Sequence, residues 1–145
     1  MHSFTKLTFL LVSTFGLSSS VIAAPVEANN SLVVRGPYDI HNGWATYYNP
    51  SVGLGACGWA NGDGEMVAAV GTALYQDTMI DGNPNNNPIC GKLATVTYGG
   101  KSITVKVVDR CYACGYDDID LSPAAFQQFA ALPVGKLQGV SWRFA

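Results

Sequence analysis

The stretch "VVDRCYACGYDDIDLSPAAF", residues 107–126, concentrates the side chains that could do chemistry. Four of them are aspartates: Asp109 ends a run of β-branched residues, and Asp120 comes just before a helix start. A carboxylic acid in apolar surroundings has a raised pKa and can exchange a proton with a bound substrate. Asp109 and Asp120 are therefore candidates for acid chemistry. The adjacent Asp117 and Asp118 are expected to be solvated turn residues.

The four cysteines, Cys57, Cys90, Cys111 and Cys114, could serve disulfides, a metal or redox chemistry. An even number in a small secreted chain favours two disulfides. The sequence alone does not separate the three connectivities; we favour Cys57–Cys90 with Cys111–Cys114, because both cysteine-glycine loops fall between strands. Zinc is disfavoured because Cys57 and Cys90 are far apart and His41 is the only histidine outside the N-terminal segment. A redox CxxC lacks its βαβ context. No metal or cofactor is expected.

The N-terminal segment indicates a secreted protein. Residues 1–23 have the order of a signal peptide, with Lys6, an apolar run and small residues before a cleavage site near Ala23. Residues 24–42 lack periodicity and are predicted to be a flexible leader, which leaves residues 43–145 as one domain. No later apolar stretch reaches the roughly 18 residues that span a bilayer. We expect a soluble, extracellular monomer.

The charge balance argues against two classes of partner. Lys and Arg number 8 against 10 Asp and Glu, and removal of Lys6 with the signal peptide makes the balance more negative. The basic residues form no run. Nucleic acid and anionic membrane surfaces are therefore not expected to bind.

Runs rich in Val, Ile, Thr and aromatic residues predict an all-β domain. Four such runs cover residues 43–48, 92–98, 101–109 and 136–144. Gly99-Gly100 is a hairpin signal between the second and the third. In the third run, Val105 and Val107 share a face that is expected to point into the core, which places Asp109 on that face at the strand end.

One helix and one long loop complete the prediction. Ser122 can cap a helix whose first residue is Pro123 and whose apolar stripe continues to Ala130. Residues 49–91 are predicted to be mostly loop around one apolar run. Long connections in a cross-linked β-domain are common binding surfaces.

Five motifs resemble a known family in their residues and in their order. They are "GWATYYNP", "ACGWAN", "NPICGK", "VVDRCYACGYDDIDLSPAAF" and "VSWRFA". The family is that of the double-psi β-barrels, which includes expansins, rare lipoprotein A-like domains, barwin-like proteins and fungal loosenins. The resemblance covers residues 43–145, and the short form with a signal peptide is similar to a loosenin or expansin-like protein. It implies a six-stranded barrel with one or two short helices and an open groove for polysaccharide.

The resemblance also implies a set of groove residues. They fall on Thr46 in "GWATYY", Asp109 in "VVDRC" and Asp120 in "DIDLS". Asp120 matches the acid that expansins require and that related endoglucanases use as a proton donor. Those hydrolases carry a second acid after the first strand, where this chain has Asn49. An amide cannot take a proton from water, so ordinary hydrolysis is disfavoured.

Each of these residues also has a purely structural interpretation. Asp120 could favour the N-terminus of the following helix or bond to local backbone. Asp109 could be a hydrogen-bonding partner of Thr46 that holds two strands in register, or an acid that sets the proton affinity of Asp120.

Aromatic rings divide into predicted core and predicted sugar-binding residues. Trp44 and Trp142 follow the strand alternation and are expected in the core. Rings at strand ends or in loops could offer flat faces to sugars. Together with Asn49, these candidate binding residues are Tyr47, Tyr48, Trp59, Tyr112 and Tyr116.

Three functions remain open from the sequence. The first is loosening of cellulose or chitin without hydrolysis, through groove contacts that replace hydrogen bonds between glycan chains. The second is binding of a protein target by the loops, as in a secreted cysteine-protease inhibitor or an effector. The third is cleavage of the lytic transglycosylase type, which needs an acid but not the missing base.

Overall fold

Six strands form the framework of residues 35–145, the part of the chain that this computed structural model describes. They are β1 (His41–Tyr47), β2 (Val67–Gly71), β3 (Leu93–Tyr98), β4 (Lys101–Cys111), β5 (Ile119–Leu121) and β6 (Leu137–Phe144). Two short helices are α1 (Thr72–Asp77) and α2 (Pro123–Phe126), and 3₁₀ turns lie at Pro50–Val52, Pro84–Asn86 and Leu132–Val134. The predicted signal peptide, residues 1–23, and the predicted leader up to residue 34 lie outside the described residues.

The strands close into a barrel in the order β1-β5-β2-β4-β3-β6. β1 pairs with β5, and β2 pairs with β4, in parallel. The other four ladders are antiparallel. The prediction of an all-β, six-stranded barrel with one or two short helices is confirmed. In the described part of the chain, no helix is long and apolar enough to cross a membrane.

Four strands, β1, β3, β4 and β6, lie where the sequence predicts strands. β1 begins at His41, two residues before the predicted domain start at Gly43, because the buried His41 ring bonds to Asp117 and stacks on Trp142. β2 lies within residues 49–91, which the sequence predicts to be mostly loop. All five residues of β2 are buried, so it lacks the alternation of a half-exposed strand. β5 has only three residues, too few for a period to be recognised.

The barrel interior takes alternate residues from each strand. Trp142 is buried in this core, as predicted. The prediction for Trp44 is wrong: because Ala45 faces the core, Trp44 lies on the outer face with Thr46 and is only partly buried. The Lys136 ammonium lies 3.9 Å from the centroid of the Trp44 ring.

The predicted disulfides and helix cap are present. Cys57 is bonded to Cys90, and Cys111 to Cys114. The hydroxyl of Ser122 accepts a hydrogen bond of 3.2 Å from the Ala125 amide, which caps α2. α2 is shorter than the predicted apolar stripe, because beyond Phe126 the chain continues in turns closed by bonds between residues three apart, such as that from the Phe129 amide to the Phe126 carbonyl.

Candidate functional site

The candidate groove residues form one row across four neighbouring strands. Thr46 on β1 pairs with Asp120 on β5, Asp120 pairs with Ala69 on β2, and Ala69 pairs with Asp109 on β4. Directly paired residues share one face of a sheet. Between the two acids this row carries only the methyl group of Ala69, which is 2% exposed.

A β-bulge determines on which face of the sheet the Asp109 side chain lies. The ladder between β2 and β4 pairs Ala68 with Val107 and Ala69 with Asp109, so Val108 is an extra residue. The prediction that Asp109 shares the core face of Val107 is wrong, because the extra residue turns Asp109 to the outer face. The loop above it lies close: the Cys57 amide donates a 3.2 Å hydrogen bond to the Val108 carbonyl.

Asp120 is the acid with the most perturbed environment in the groove. The Thr46 hydroxyl donates a hydrogen bond of 2.6 Å to its Oδ1. Burial raises the pKa of Asp120; the hydrogen bond from Thr46 opposes this shift, and the negative charge of Asp109 adds to it. The predicted contact between Thr46 and Asp109 is therefore wrong, since Thr46 bonds to Asp120 instead.

Asp109 is fixed by backbone donors. Its Oδ1 accepts hydrogen bonds of 2.7 Å from the Ala56 amide and 2.8 Å from the Arg110 amide. A Cβ at Gly55 would come within 3.3 Å of the Asp109 side chain and 2.5 Å of the Val108 carbonyl, so only glycine permits this approach. The loop thus clamps the carboxylate at the groove wall.

Tyr48 lies close to both acids. Burial raises the pKa of Tyr48, and the charges of Asp109 and Asp120 raise it further, so the phenol stays neutral. Its hydroxyl oxygen is buried and has no hydrogen-bonding partner among residues 35–145. A neutral phenol is a donor, and this one is left without an acceptor.

Leu54 separates two clefts that share Asp109 as a wall. The smaller has a volume of about 80 Å³ and is lined by Tyr48, Asn49 and the 50–54 turn. The larger, of about 390 Å³, extends to Arg110 and Tyr112. The volumes suit a polar substituent in the first and a sugar ring in the second.

Arg110 and Tyr112 form the rim of the larger cleft. The guanidinium donates a 2.7 Å hydrogen bond to the Tyr112 hydroxyl and lies 5.0 Å from the ring centroid. The Tyr112 ring is 77% exposed. This ring therefore offers the flat apolar face that sugars stack on.

One acid of this region, Asp63, is not predicted from the sequence. Asp63 accepts a 2.9 Å hydrogen bond from the Asn49 amide and a 3.1 Å hydrogen bond from the Ser51 backbone amide. These two bonds lower the pKa of Asp63. The "NGDGE" cluster predicts only a loop, and no spacing rule links Asp63 with Asn49, 14 residues away.

The other predicted binding residues are dispersed. Tyr47 faces inward and packs on Phe126, with ring centroids 5.1 Å apart. Tyr116 lies beside His41 at the opposite end of β1, where burial raises the pKa of Tyr116. Trp59 is partly exposed but lines neither cleft. Of the predicted aromatic residues, Tyr48 and Tyr112 are brought to the clefts.

The prediction that Asp117 and Asp118 are solvated turn residues is wrong for Asp118, whereas the Asp117 side chain is 30% exposed in its turn and pairs with the exposed Arg35 at 3.3 Å. Asp118 is buried and accepts hydrogen bonds from the Trp44 amide at 3.0 Å and the Gly115 amide at 2.8 Å. Asp117 lies 2.9 Å from His41 Nδ1. The loop before β5 folds back over the start of β1, which brings both carboxylates to polar groups that the sequence does not place nearby.

A metal site among the described residues would have to use Cys111, Cys114 and Asp120, whose ligand atoms lie within 4.8 Å of one another. The two sulfurs are joined in a disulfide. A disulfide sulfur lacks the thiolate charge that zinc requires. The arrangement therefore disfavours zinc and places the disulfide against the carboxylate of Asp120.

A closed six-stranded barrel with this strand order is a double-psi β-barrel. The family model described as "Lytic transglycolase" matches residues 40–141, and the chain belongs to this double-psi β-barrel family.

The individual relatives of this chain include a papain inhibitor and expansin-like proteins. The chain is 38% identical over 104 residues to the papain inhibitor of Streptomyces mobaraensis, a match that covers 70% of this chain and 69% of that protein. It is 32% identical over 114 residues to expansin-like protein 3 of Dictyostelium discoideum, with 71% of this chain and 31% of that protein covered. The chain thus spans about a third of the expansin-like relative.

The similar solved structures also include a papain inhibitor and an expansin. The Streptomyces papain inhibitor superposes with a TM-score of 0.66 at 37% identity, over 74% of this chain and 94% of that structure. A Clavibacter michiganensis expansin mutant in complex with cellohexaose gives a TM-score of 0.59 at 24% identity, over 74% of this chain and 50% of that structure. The second likeness shows the fold alone.

Proposed function

We propose that the outer groove binds a neutral cell-wall polysaccharide, cellulose or chitin, and weakens contacts between glycan chains without cleaving them. The observation that carries this proposal is the Thr46–Asp120 pair, in which a half-buried acid with a raised pKa lies on the outer face of the barrel in the same row as Asp109, the wall of both clefts. When protonated, Asp120 donates a hydrogen bond to a sugar oxygen; when ionised, it accepts one from a sugar hydroxyl. Either contact competes with a hydrogen bond between glycan chains.

The surroundings of Asn49 argue against hydrolysis. An inverting hydrolase needs a carboxylate base that activates water on the face of the sugar opposite the acid. The nearby carboxylate of Asp63 is held on both oxygens, by the Asn49 side chain and the Ser51 amide. These bonds also lower the pKa of Asp63, which makes it a weak proton acceptor.

Relatives support the glycan class at the level of family and fold. One sequence relative is an expansin-like protein, and a more distant expansin of the same fold has been crystallised with cellohexaose. Two disulfides agree with an extracellular location, where such bonds persist. Secretion through the signal peptide of residues 1–23 is part of this proposal.

A pull-down against cellulose, chitin and peptidoglycan tests the proposal. We expect the wild type to sediment with cellulose or chitin and to release no soluble sugar, as measured by reducing-end assay and mass spectrometry of the supernatant. Absence of binding to all three polymers would refute the proposal. Soluble products with cleaved linkages would instead establish an enzyme, of the hydrolytic or the lytic transglycosylase type.

A second candidate function is inhibition of a cysteine protease. It is favoured by the similarity to the papain inhibitor and by apolar side chains on the groove rim, where Val52 is 86% exposed and Leu54 73% exposed. Papain inhibition by the wild type but not by Val52→Ser/Leu54→Ser would support it. In that case Asp120→Asn should inhibit as well as the wild type, because the rim rather than the groove acid makes the contact.

A further inference from the structure

A third cleft lies on the barrel wall opposite the acidic groove. In the closed order of six strands, the β5–β2 ladder that carries Asp120 lies diametrically across from the β3–β6 ladder. The third cleft lies over β3, β6 and the start of β4 and has a volume of about 340 Å³. Its outward-facing lining consists of Ile40, Thr95, Thr97, Ser102, Ser141 and Arg143.

The cleft presents two rows of polar side chains. Thr95 pairs with Arg143 across the β3–β6 ladder, and Thr97 pairs with Ser141, so the four side chains share one face. Thr97 Oγ1 lies 2.8 Å from the Ser102 hydroxyl. Ile40, which is 52% exposed, adds an apolar surface beside the hydroxyls.

The charge of this wall is opposite to that of the groove. Arg143 is exposed and forms no ion pair within residues 35–145. The segments 93–98, 101–108 and 137–144 contain no acidic residue. The acids that flank these segments and the cleft are Asp109, which lies on the groove side, and Asp39, next to Ile40, whose Oδ2 accepts a 2.7 Å hydrogen bond from the Gly36 amide.

We propose that this cleft, the Arg143 cleft, binds a uronic acid residue of an acidic polysaccharide. A guanidinium pairs with a carboxylate through two parallel hydrogen bonds, which gives both charge complementarity and orientation. The hydroxyls of Thr95 and Ser141 suit the sugar hydroxyls, and Ile40 suits the apolar ring face. The volume of the cleft lies within the range of small-ligand sites.

The Arg143 cleft does not depend on the function of the groove. Because the groove and this cleft lie on opposite walls, one molecule can contact a neutral glycan chain through Asp120 and an acidic chain through Arg143 at the same time. Such a protein would act at the boundary between two kinds of wall polymer. Two weak contacts on one rigid domain also give a higher overall affinity for a wall that contains both polymers.

Binding to polygalacturonate and to its fully methyl-esterified, uncharged form tests the Arg143 cleft. We expect the wild type to bind the acidic polymer only, and Arg143→Gln to bind it about tenfold more weakly, because a charge-assisted bond is lost. Lys136→Gln is the matched control, since it removes the same charge at the Trp44 ring and should bind like the wild type. Thr95→Val, which removes one hydroxyl on a strand, should weaken binding a few fold with no loss of stability.

Three outcomes would overturn the site. They are no binding of the acidic polymer by the wild type, equal losses in Arg143→Gln and Lys136→Gln, and unchanged affinity in Thr95→Val. Equal losses would mean diffuse electrostatic attraction rather than a built cleft. Cellulose or chitin binding by the same variants is a separate readout, and it should remain at the wild-type level if the proposed groove function is right.

Discussion

Asp118 and Asp120 are two residues apart and have opposite environments. Asp118 is 8% exposed, and each of its oxygens accepts a hydrogen bond from a backbone amide. Asp120 is half-buried on the outer face of the barrel and bonds through one oxygen to the Thr46 hydroxyl. The carboxylate of Asp118 thus binds backbone amides, whereas the carboxylate of Asp120 lies on the outer face of the barrel.

This difference distinguishes a carboxylate that stabilises the fold from a carboxylate that is available to bind a ligand. A carboxylate whose two oxygens are both satisfied by buried amides has little capacity left for a ligand, and its removal leaves those amides unpaired. A carboxylate with one side-chain partner and a raised pKa keeps capacity for a ligand. The following changes test this distinction.

Asp118→Ala should have the largest effect on stability. It leaves the amides of Trp44 and Gly115 without their acceptor, at a cost of about 3 kcal/mol in the free energy of unfolding. Chemical denaturation measures this loss. Gln138→Ala, at an exposed position of β6, is the control and should change stability by less than about 0.5 kcal/mol. Equal stability of the two variants would show that Asp118 does not hold the loop.

Replacing Cys111 and Cys114 together by alanine should have the next largest effect. This disulfide closes the start of the loop that carries Asp118, and it lies against the carboxylate of Asp120. A loop this short gains on the order of 1–2 kcal/mol from cross-linking in the chain-entropy model. A thermal midpoint unchanged from the wild type would contradict a role of the bridge in fixing either carboxylate.

Tyr48→Phe should leave stability unchanged or raise it by up to about 1 kcal/mol. The buried Tyr48 hydroxyl has no partner among the described residues, so its removal costs no hydrogen bond. The control is Tyr75→Phe, since the Tyr75 hydroxyl donates a 2.7 Å hydrogen bond to the Pro84 carbonyl. Denaturation should show that Tyr75→Phe is the less stable variant. The reverse order would mean that the Tyr48 hydroxyl is satisfied.

The pH dependence of stability should show the smallest effect. The raised pKa means that folded Asp120 keeps its proton to a higher pH than unfolded Asp120 does. Folding therefore becomes less favourable as pH rises from about 4 through the raised pKa, and Asp120→Asn removes this dependence. Denaturation at several pH values should show the variant gaining stability relative to the wild type across that window. A gain in stability of the wild type relative to Asp120→Asn with rising pH would contradict the raised pKa of Asp120, because the acids whose pKa is lowered, such as Asp63, contribute equally to both proteins.

The sequence predicts the parts of this molecule that depend on periodicity or on motifs. β1, β3, β4 and β6 alternate, and the cap at Ser122 follows a local rule. β2 is missed because its five residues are all buried, and the direction of Asp109 is missed because one extra residue, Val108, reverses a face. No periodicity rule applied to a single strand reveals such a bulge.

Long-range contacts explain the remaining errors at the site. Asp118 and Asp63 owe their partners to loops that fold back over residues far away in sequence, Trp44 and Asn49. The pair of Thr46 with Asp120 likewise needs the β1–β5 register, which the sequence does not contain as a local signal. The groove position of Asp120 is predicted only by the resemblance of the sequence to the double-psi β-barrel family.

The most direct test of the account compares Asp120→Asn with Asp118→Asn at equal folded concentration. Weakening of cellulose or chitin is measured for each variant beside its thermal midpoint. We predict that Asp120→Asn loses the weakening activity and keeps its midpoint, whereas Asp118→Asn lowers the midpoint and keeps activity in its folded fraction. Full activity of Asp120→Asn in this assay would contradict the claim that Asp120 carries the function.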